Sequence, residues 1–205
     1  MALQDFRKYY ESTNIENIHS LLKNKCLVTE KIQASSFHVR RKDGLLNFYK
    51  SGKSEPIDKI DRTIVSYYEK AIKHFNALLD ESVDQMPHDW KFGFDYMTNN
   101  KTVDIEYDTV PKNCLILNHI QVLSEDGKVK KVIRDPKILE KWSGILEVDE
   151  PTVIFNGVLS DYQKEKLLNL LSISLGEAEK QFDSFSFTYR AFTIFNESIH
   201  SSKLN

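Results

Sequence analysis

Apolar residues at Ile60, Ile64, Tyr67, Tyr68, Ala71, Ile72, Phe75 and Leu78 recur at the spacing of one helix face, with lysine and glutamate between them. This pattern predicts an amphipathic helix over 57–79, closed by the breaker Met86-Pro87-His88-Asp89. A similar but more broken spacing over 6–22 predicts short helices interrupted near Ser12-Thr13-Asn14. Elsewhere the period drops to two. Strands are expected at 26–28, 37–40, 45–50, 90–96, 115–123 and 129–133, with a short apolar strand at 153–155. Asp43-Gly44 closes a hairpin between the second and third of these, and Ser124-Glu125-Asp126-Gly127-Lys128 turns the chain between the fifth and sixth. A helix is expected over 136–146. Ser160-Asp161-Tyr162-Gln163 has the form of a capping box opening another through 171. The aromatic block over 182–195 mixes the two periods. Consecutive strands joined by short turns favour an α+β fold of mostly antiparallel sheets flanked by helices. With no repeat and no linker-like tract, residues 1–205 read as a single domain.

Composition alters this picture little. Hydrophobic residues make up 40% and charged residues 28% of the chain, ordinary globular values. The 28 basic and 30 acidic side chains give a net charge of -2, which excludes a uniformly basic nucleic-acid coat but leaves room for a local basic cleft. No apolar run reaches the roughly 18 residues a membrane span requires, and Met1-Ala2-Leu3-Gln4-Asp5 does not open a signal peptide. Cys26 and Cys114 build neither a disulfide framework nor a zinc site. The expectation is a monomer in a reducing cytoplasm. The six histidines show no metal-ligand spacing, no metal site is expected, and no phosphate-binding glycine loop of either common type occurs.

The segment with most chemical content is Leu27-Val28-Thr29-Glu30-Lys31-Ile32-Gln33-Ala34-Ser35-Ser36-Phe37-His38-Val39. An apolar strand delivers a lysine, preceded by a carboxylate, into a run of small residues that leave room beside the amine. Such a lysine becomes a nucleophile when desolvation and neighbouring positive charge lower its pKa. By frequency alone, a lysine at a strand end is more often a surface residue.

This segment resembles the nucleophile motif of the covalent nucleotidyltransferases, the polynucleotide ligases and mRNA capping enzymes. Among these it is most similar to phage RNA ligases whose motif begins Glu-Lys-Ile, with an aromatic six residues after the lysine. The resemblance extends to Tyr49-Lys50-Ser51-Gly52-Lys53 as a second element, Lys91-Phe92-Gly93-Phe94-Asp95-Tyr96 as a third, and Leu115-Ile116-Leu117-Asn118-His119-Ile120 as the next strand. It covers residues 26–120. It implies a ligase-type, ATP-grasp-like nucleotidyltransferase domain that uses ATP and Mg2+ to form a lysyl-AMP intermediate for polynucleotide end joining. Lys31 would be the nucleophile. Glu30, Ile32, Phe37, Lys50, Lys53, Asp95 and Asn118 would line the nucleotide pocket, Asp95 at the ribose and Lys50 at sugar or phosphate. The implied partners are ATP and RNA, or nicked or single-stranded nucleic acid, in the host cytoplasm for a viral protein.

The chain departs from the family pattern at Ala34, where relatives carry glycine, and at Asn118-His119, where many carry an aromatic and an aspartate. Asn156-Gly157-Val158-Leu159 imitates the family's fourth element with asparagine in place of the carboxylate, and reads as a loop. No later Lys-x-Lys strand follows. The expectation is therefore a nucleotide-binding sheet with one wall of the cleft left open, weak ATP binding and no efficient strand joining. The alternative is a non-catalytic relative that binds nucleic acid through Arg40, Arg41, Lys50 and Lys53, or binds a partner protein.

Overall fold

The computed structural model describes residues 25–30, 32, 34–50, 53, 55–59, 62–99, 107, 109–158, 160 and 192–196. It is α+β. By internal contacts the chain, read from its sequence as one domain, falls into two compact units. One is drawn from Met1–Gln33, Val103–Glu106 and Thr152–Asn205, the other from Ala34–Thr102 and Tyr107–Pro151. Lys31, Gln33 and all but Ser160 of the helix expected at 160–171 lie outside the described residues, as do the helices expected at 6–22.

The first unit contains a three-stranded antiparallel sheet of order β7-β1-β8, formed by β1 (Lys25–Glu30), β7 (Val153–Val158) and β8 (Phe192–Asn196). β1 is the middle strand, so its backbone groups find partners on both sides. It runs directly into Lys31. The loop expected at 156–159 is corrected over its described part: Asn156, Gly157 and Val158 complete β7, in register with Leu27, Cys26 and Lys25. Asn-Gly is a strong turn signal, but here the pairing demand of the neighbouring strand overrides it. Of the aromatic block over 182–195, the described part is β8, whose Phe192 pairs with Glu30.

The second unit contains a five-stranded antiparallel sheet of order β3-β2-β4-β5-β6. Its strands are β2 (Ser35–Lys42), β3 (Leu45–Lys50), β4 (Trp90–Tyr96), β5 (Leu115–Leu123) and β6 (Val129–Ile133). Gly44 takes the positive φ of 77° that the hairpin turn requires. One face of this sheet carries the core. Phe37, Val39, Phe92, Phe94, Tyr96, Leu115, Leu117 and Ile120 are buried there against Tyr68, Ala71, Phe75 and Met86 on one side and Leu139, Trp142 and Leu146 on the other. Burying a Phe or Leu side chain contributes about 1.5–3 kcal/mol, so this face supplies most of the unit's cohesion.

The single helix expected over 57–79 is instead a broken run: a 3-10 turn at Ile57–Lys59, then α1 (Arg62–Tyr67) and α2 (Glu69–Ala77). The break falls at Tyr68, whose backbone sits at φ -95° and ψ 14°. Its ring is drawn into the core and its hydroxyl donates to the Ser36 carbonyl at 3.0 Å. The i to i−4 hydrogen bonds at Tyr68 and Ile72 persist, so the break is a kink and not a stop. A short helix not expected from the sequence, α3 (Asp80–Asp84), follows. Its Asp84 carboxylate and carbonyl accept from the Arg41 guanidinium.

α4 (Pro136–Leu146) has the expected bounds. Asp135 is the N-cap, its Oδ1 accepting from the backbone nitrogens of Lys137 at 2.9 Å and Ile138 at 3.3 Å, and Pro136 occupies the first turn, where no donor is needed. The helix ends at Glu147 in the left-handed region, whose carbonyl accepts from the Asn113 side chain at 2.8 Å. Replacing Asp135 with alanine should lower stability by about 1 kcal/mol, read as a shifted urea midpoint at constant slope. A midpoint that does not move would show that the cap is replaced by water. Among the described residues no helix is long and apolar enough to cross a membrane.

Candidate functional site

Strand alternation sends the other half of each sequence to the opposite face of the five-stranded sheet. Phe37 and Val39 face the core, so Ser36, His38 and Arg40 face away. Phe92 and Phe94 face the core, so Lys91, Gly93 and Asp95 face away. The registers then fix three rows across this polar face. Ser36 pairs with Asp95; Tyr49, His38, Gly93 and His119 form the next row; Asn47, Arg40, Lys91 and Gln121 form the third.

A bulge in β5 enlarges the first row. Gly93 pairs with His119 and Phe94 with Leu117, which leaves Asn118 as the extra residue. Two consecutive polar side chains, Asn118 and His119, thereby serve the same face. The Asn118 Nδ2 donates to Asp95 Oδ2 at 2.8 Å.

The middle row is unusual because its centre has no side chain. A Cβ at Gly93 would lie 2.4 Å from His119 Cε1 and 2.6 Å from its Nε2. The His119 ring therefore occupies the space a side chain would take. Its edge meets His38, with ring centroids 5.6 Å apart and planes at 71°. The Gln121 amide nitrogen lies 3.2 Å from His119 Nε2. An amide nitrogen can only donate, so Nε2 accepts and the imidazole proton belongs on Nδ1. His38 is 6% exposed, and its Nδ1 has no hydrogen-bond partner among the described residues.

Both imidazoles are held neutral. Burial, and then the Lys91 ammonium, lower the His38 pKa to about 4. Burial, then Arg134, His38 and Lys91, lower that of His119 to about 3. Lys91 is itself shifted down, by burial and by Arg40, and its Nζ sits 4.4 Å from the centroid of the Tyr49 ring. The face thus combines three cations, Lys91, Arg40 and Arg134, with two neutral imidazoles. Asp95, on the neighbouring row, already accepts from Asn118.

Of the residues assigned from the sequence, Asp95 and Asn118 are brought together on this face. Ile32 is half-buried and belongs, with the end of β1 at Glu30, to the first unit. Phe37 is fully buried in the core, stacked on Phe48 at 5.8 Å and against Tyr68 at 5.2 Å, on the side of the sheet away from Asp95. An aromatic at an alternating strand position follows the apolar face. Lys50 pairs with Phe37, so its register position also belongs to the core face, where it is exposed at the end of an edge strand. Lys53 is exposed in the turn that follows, its nitrogen donating to the Lys50 carbonyl at 3.2 Å.

His38, His119, Lys91 and Gly93 were not singled out as site residues by sequence. The signal was present in the alternation of Phe37-His38-Val39-Arg40 and Lys91-Phe92-Gly93-Phe94-Asp95. What the sequence could not supply was the register that places four strands side by side. Among the described residues no group of three or more His, Cys, Asp or Glu side chains is gathered to hold a metal ion. Compared with family models and with curated proteins, the chain matches none.

Proposed function

We propose that this chain is an RNA ligase-like nucleotidyltransferase. Lys31 attacks the α-phosphate of ATP, the bond to the β-phosphate breaks, pyrophosphate leaves, and AMP is retained as a lysyl phosphoramidate for transfer to a polynucleotide end. The observation that carries this reading is the polar sheet face. Two residues that the resemblance assigns to the nucleotide, Asp95 and Asn118, are hydrogen-bonded to each other there, beside a cluster of cations and neutral imidazoles. Polar side chains half-buried in mid-sheet cost stability unless they have a use or a partner. A nucleotide offers both, hydroxyls for the Asp95–Asn118 pair and phosphates for the cations.

The strand that precedes Lys31 adds support. A nucleophile needs a fixed approach to the phosphorus, since phosphoryl chemistry depends chiefly on positioning and charge. β1, the strand that immediately precedes Lys31 in sequence, is central in its sheet and paired on both sides. Mg2+ belongs in this reading with the triphosphate. It commonly binds through substrate phosphates and one or two carboxylates, and the described residues offer no larger cluster.

Non-catalytic nucleic-acid binding is the weaker reading. Of the four cations it would use, Arg41 is held by Asp84. Incubating the chain with ATP labelled at the α-phosphate, in the presence of Mg2+, should label the protein, and Lys31→Ala should abolish the label. A folded wild-type chain that takes up no label between about pH 6 and 9, the window in which a perturbed lysine titrates, would end the catalytic reading.

A further inference from the structure

We propose that the two rows formed by Tyr49, His38, Gly93 and His119 and by Arg40, Lys91 and Gln121 make a binding site for a terminal phosphate group. This deepens the nucleotidyltransferase reading by giving the polar face a ligand of its own. It rests on groups within one sheet and does not require Lys31 to react.

Four observations converge. First, His38 is 6% exposed, yet its Nδ1 has no hydrogen-bond partner among the described residues, so a polar atom taken from water is left for a ligand to satisfy. Second, the Lys91 ammonium lies over the Tyr49 ring, and among the described residues no carboxylate forms an ion pair with it. A half-buried ammonium without a counter-ion is an uncompensated charge that an anion would stabilise.

Third, the surroundings carry the same sign. Arg40 and Lys91 are adjacent by register, and Arg134 is close enough to His119 to disfavour its protonation. The carboxylate of Asp95 lies on the next row and is occupied by Asn118. Fourth, the site is built. Gly93 leaves the room that seats the His119 ring, and Gln121 fixes its tautomer so that Nδ1 carries the proton. The site therefore offers an ammonium, guanidinium charge and neutral imidazole nitrogens along two adjacent rows of one sheet face. Several donors around one point suit a tetrahedral oxyanion with three acceptor oxygens better than a carboxylate with two.

A terminal phosphate has two sources in the proposed chemistry, the triphosphate end of a nucleotide and the 5′-phosphate of a strand, and competition separates them. The probe is inorganic pyrophosphate, titrated into the full chain at neutral pH while the imidazole nitrogens of His38 and His119 are followed by NMR. Both sets of signals should move and saturate together. Lys91→Met should weaken the binding about tenfold, the loss of one charge-assisted contact. Lys42→Met, which removes an exposed lysine at the far end of β2, should leave it unchanged.

ATP should displace the pyrophosphate if the site takes the nucleotide end. A 5′-phosphorylated oligoribonucleotide, but not its 5′-hydroxyl counterpart, should do so if it takes the strand end. Histidine signals that stay fixed through millimolar pyrophosphate in a folded chain would overturn the proposal. Equal weakening by Lys91→Met and Lys42→Met would do the same, since it would reduce the effect to surface charge. The wild-type histidine response decides the matter even if Lys91→Met does not fold. Loss of this binding with Lys31 labelling intact would refute the phosphate site alone; the reverse outcome would refute the lysine chemistry alone.

Discussion

Lowering the pH from about 6.5 toward 4 should destabilise the chain steeply, and two histidines should account for much of the slope. His38 and His119 are held neutral in the fold, with pKa values near 4 and 3 against an ordinary value of 6.5. Below pH 6.5 the unfolded chain takes up protons that the folded chain refuses, so stability falls with falling pH. The stability these groups contribute is fully present above 6.5 and is lost progressively down to their folded values. Each histidine contributes about 1.4 kcal/mol per pH unit inside that window. Urea unfolding at several pH values should therefore give a slope that shrinks by about that amount when one imidazole is replaced, as in His119→Gln or His38→Gln. A slope unchanged in both variants would mean that the imidazoles are solvated and that the polar face is looser than its geometry implies.

Gly93→Ala should be the most disruptive small substitution on this face. The added methyl would sit 2.4 Å from His119 Cε1, 2.6 Å from Nε2 and 2.9 Å from Nδ1, well inside van der Waals contact with three ring atoms. The ring cannot simply lift away, because Gln121 holds one edge and His38 meets another. Overpacking of this kind costs about 1–3 kcal/mol. The double variant Gly93→Ala/His119→Ala should be less destabilised than the sum of the two singles, since removing the ring removes the clash. Additive losses would place the cost of the alanine in the backbone and not against His119.

The coarse fold was legible because the five-stranded sheet is made of strands with a clear two-residue alternation and short turns. The bounds of β3, β4, β5, β6 and α4 follow directly from that pattern. Where tertiary contacts compete with local preference the sequence was less informative. Tyr68 kinks the helical run because its ring and hydroxyl are recruited by β2. Asn156-Gly157 joins a strand because β1 has an edge to fill. Asp95 and Asn118 could be named from the resemblance. The reason they meet is a one-residue bulge between His119 and Leu117, which no spacing rule reveals.

The placement of Phe37 was hidden for a related reason: its distance from Lys31 was visible in the sequence, but the face it points to depends on register. His38 and His119 are 81 residues apart. Each looks like an isolated histidine until β4 aligns them on either side of Gly93.

The most direct test of the nucleotidyltransferase reading is to locate the adenylyl group. The chain is incubated with ATP and Mg2+, digested under alkaline conditions and sequenced by tandem mass spectrometry. One adenylyl group is expected on the peptide containing Lys31, attached at Nζ, lost on acid treatment as a phosphoramidate should be, and diminished in Asp95→Ala. Adenylation confined to Lys50 or Lys53, or its complete absence from a folded chain, would contradict that reading.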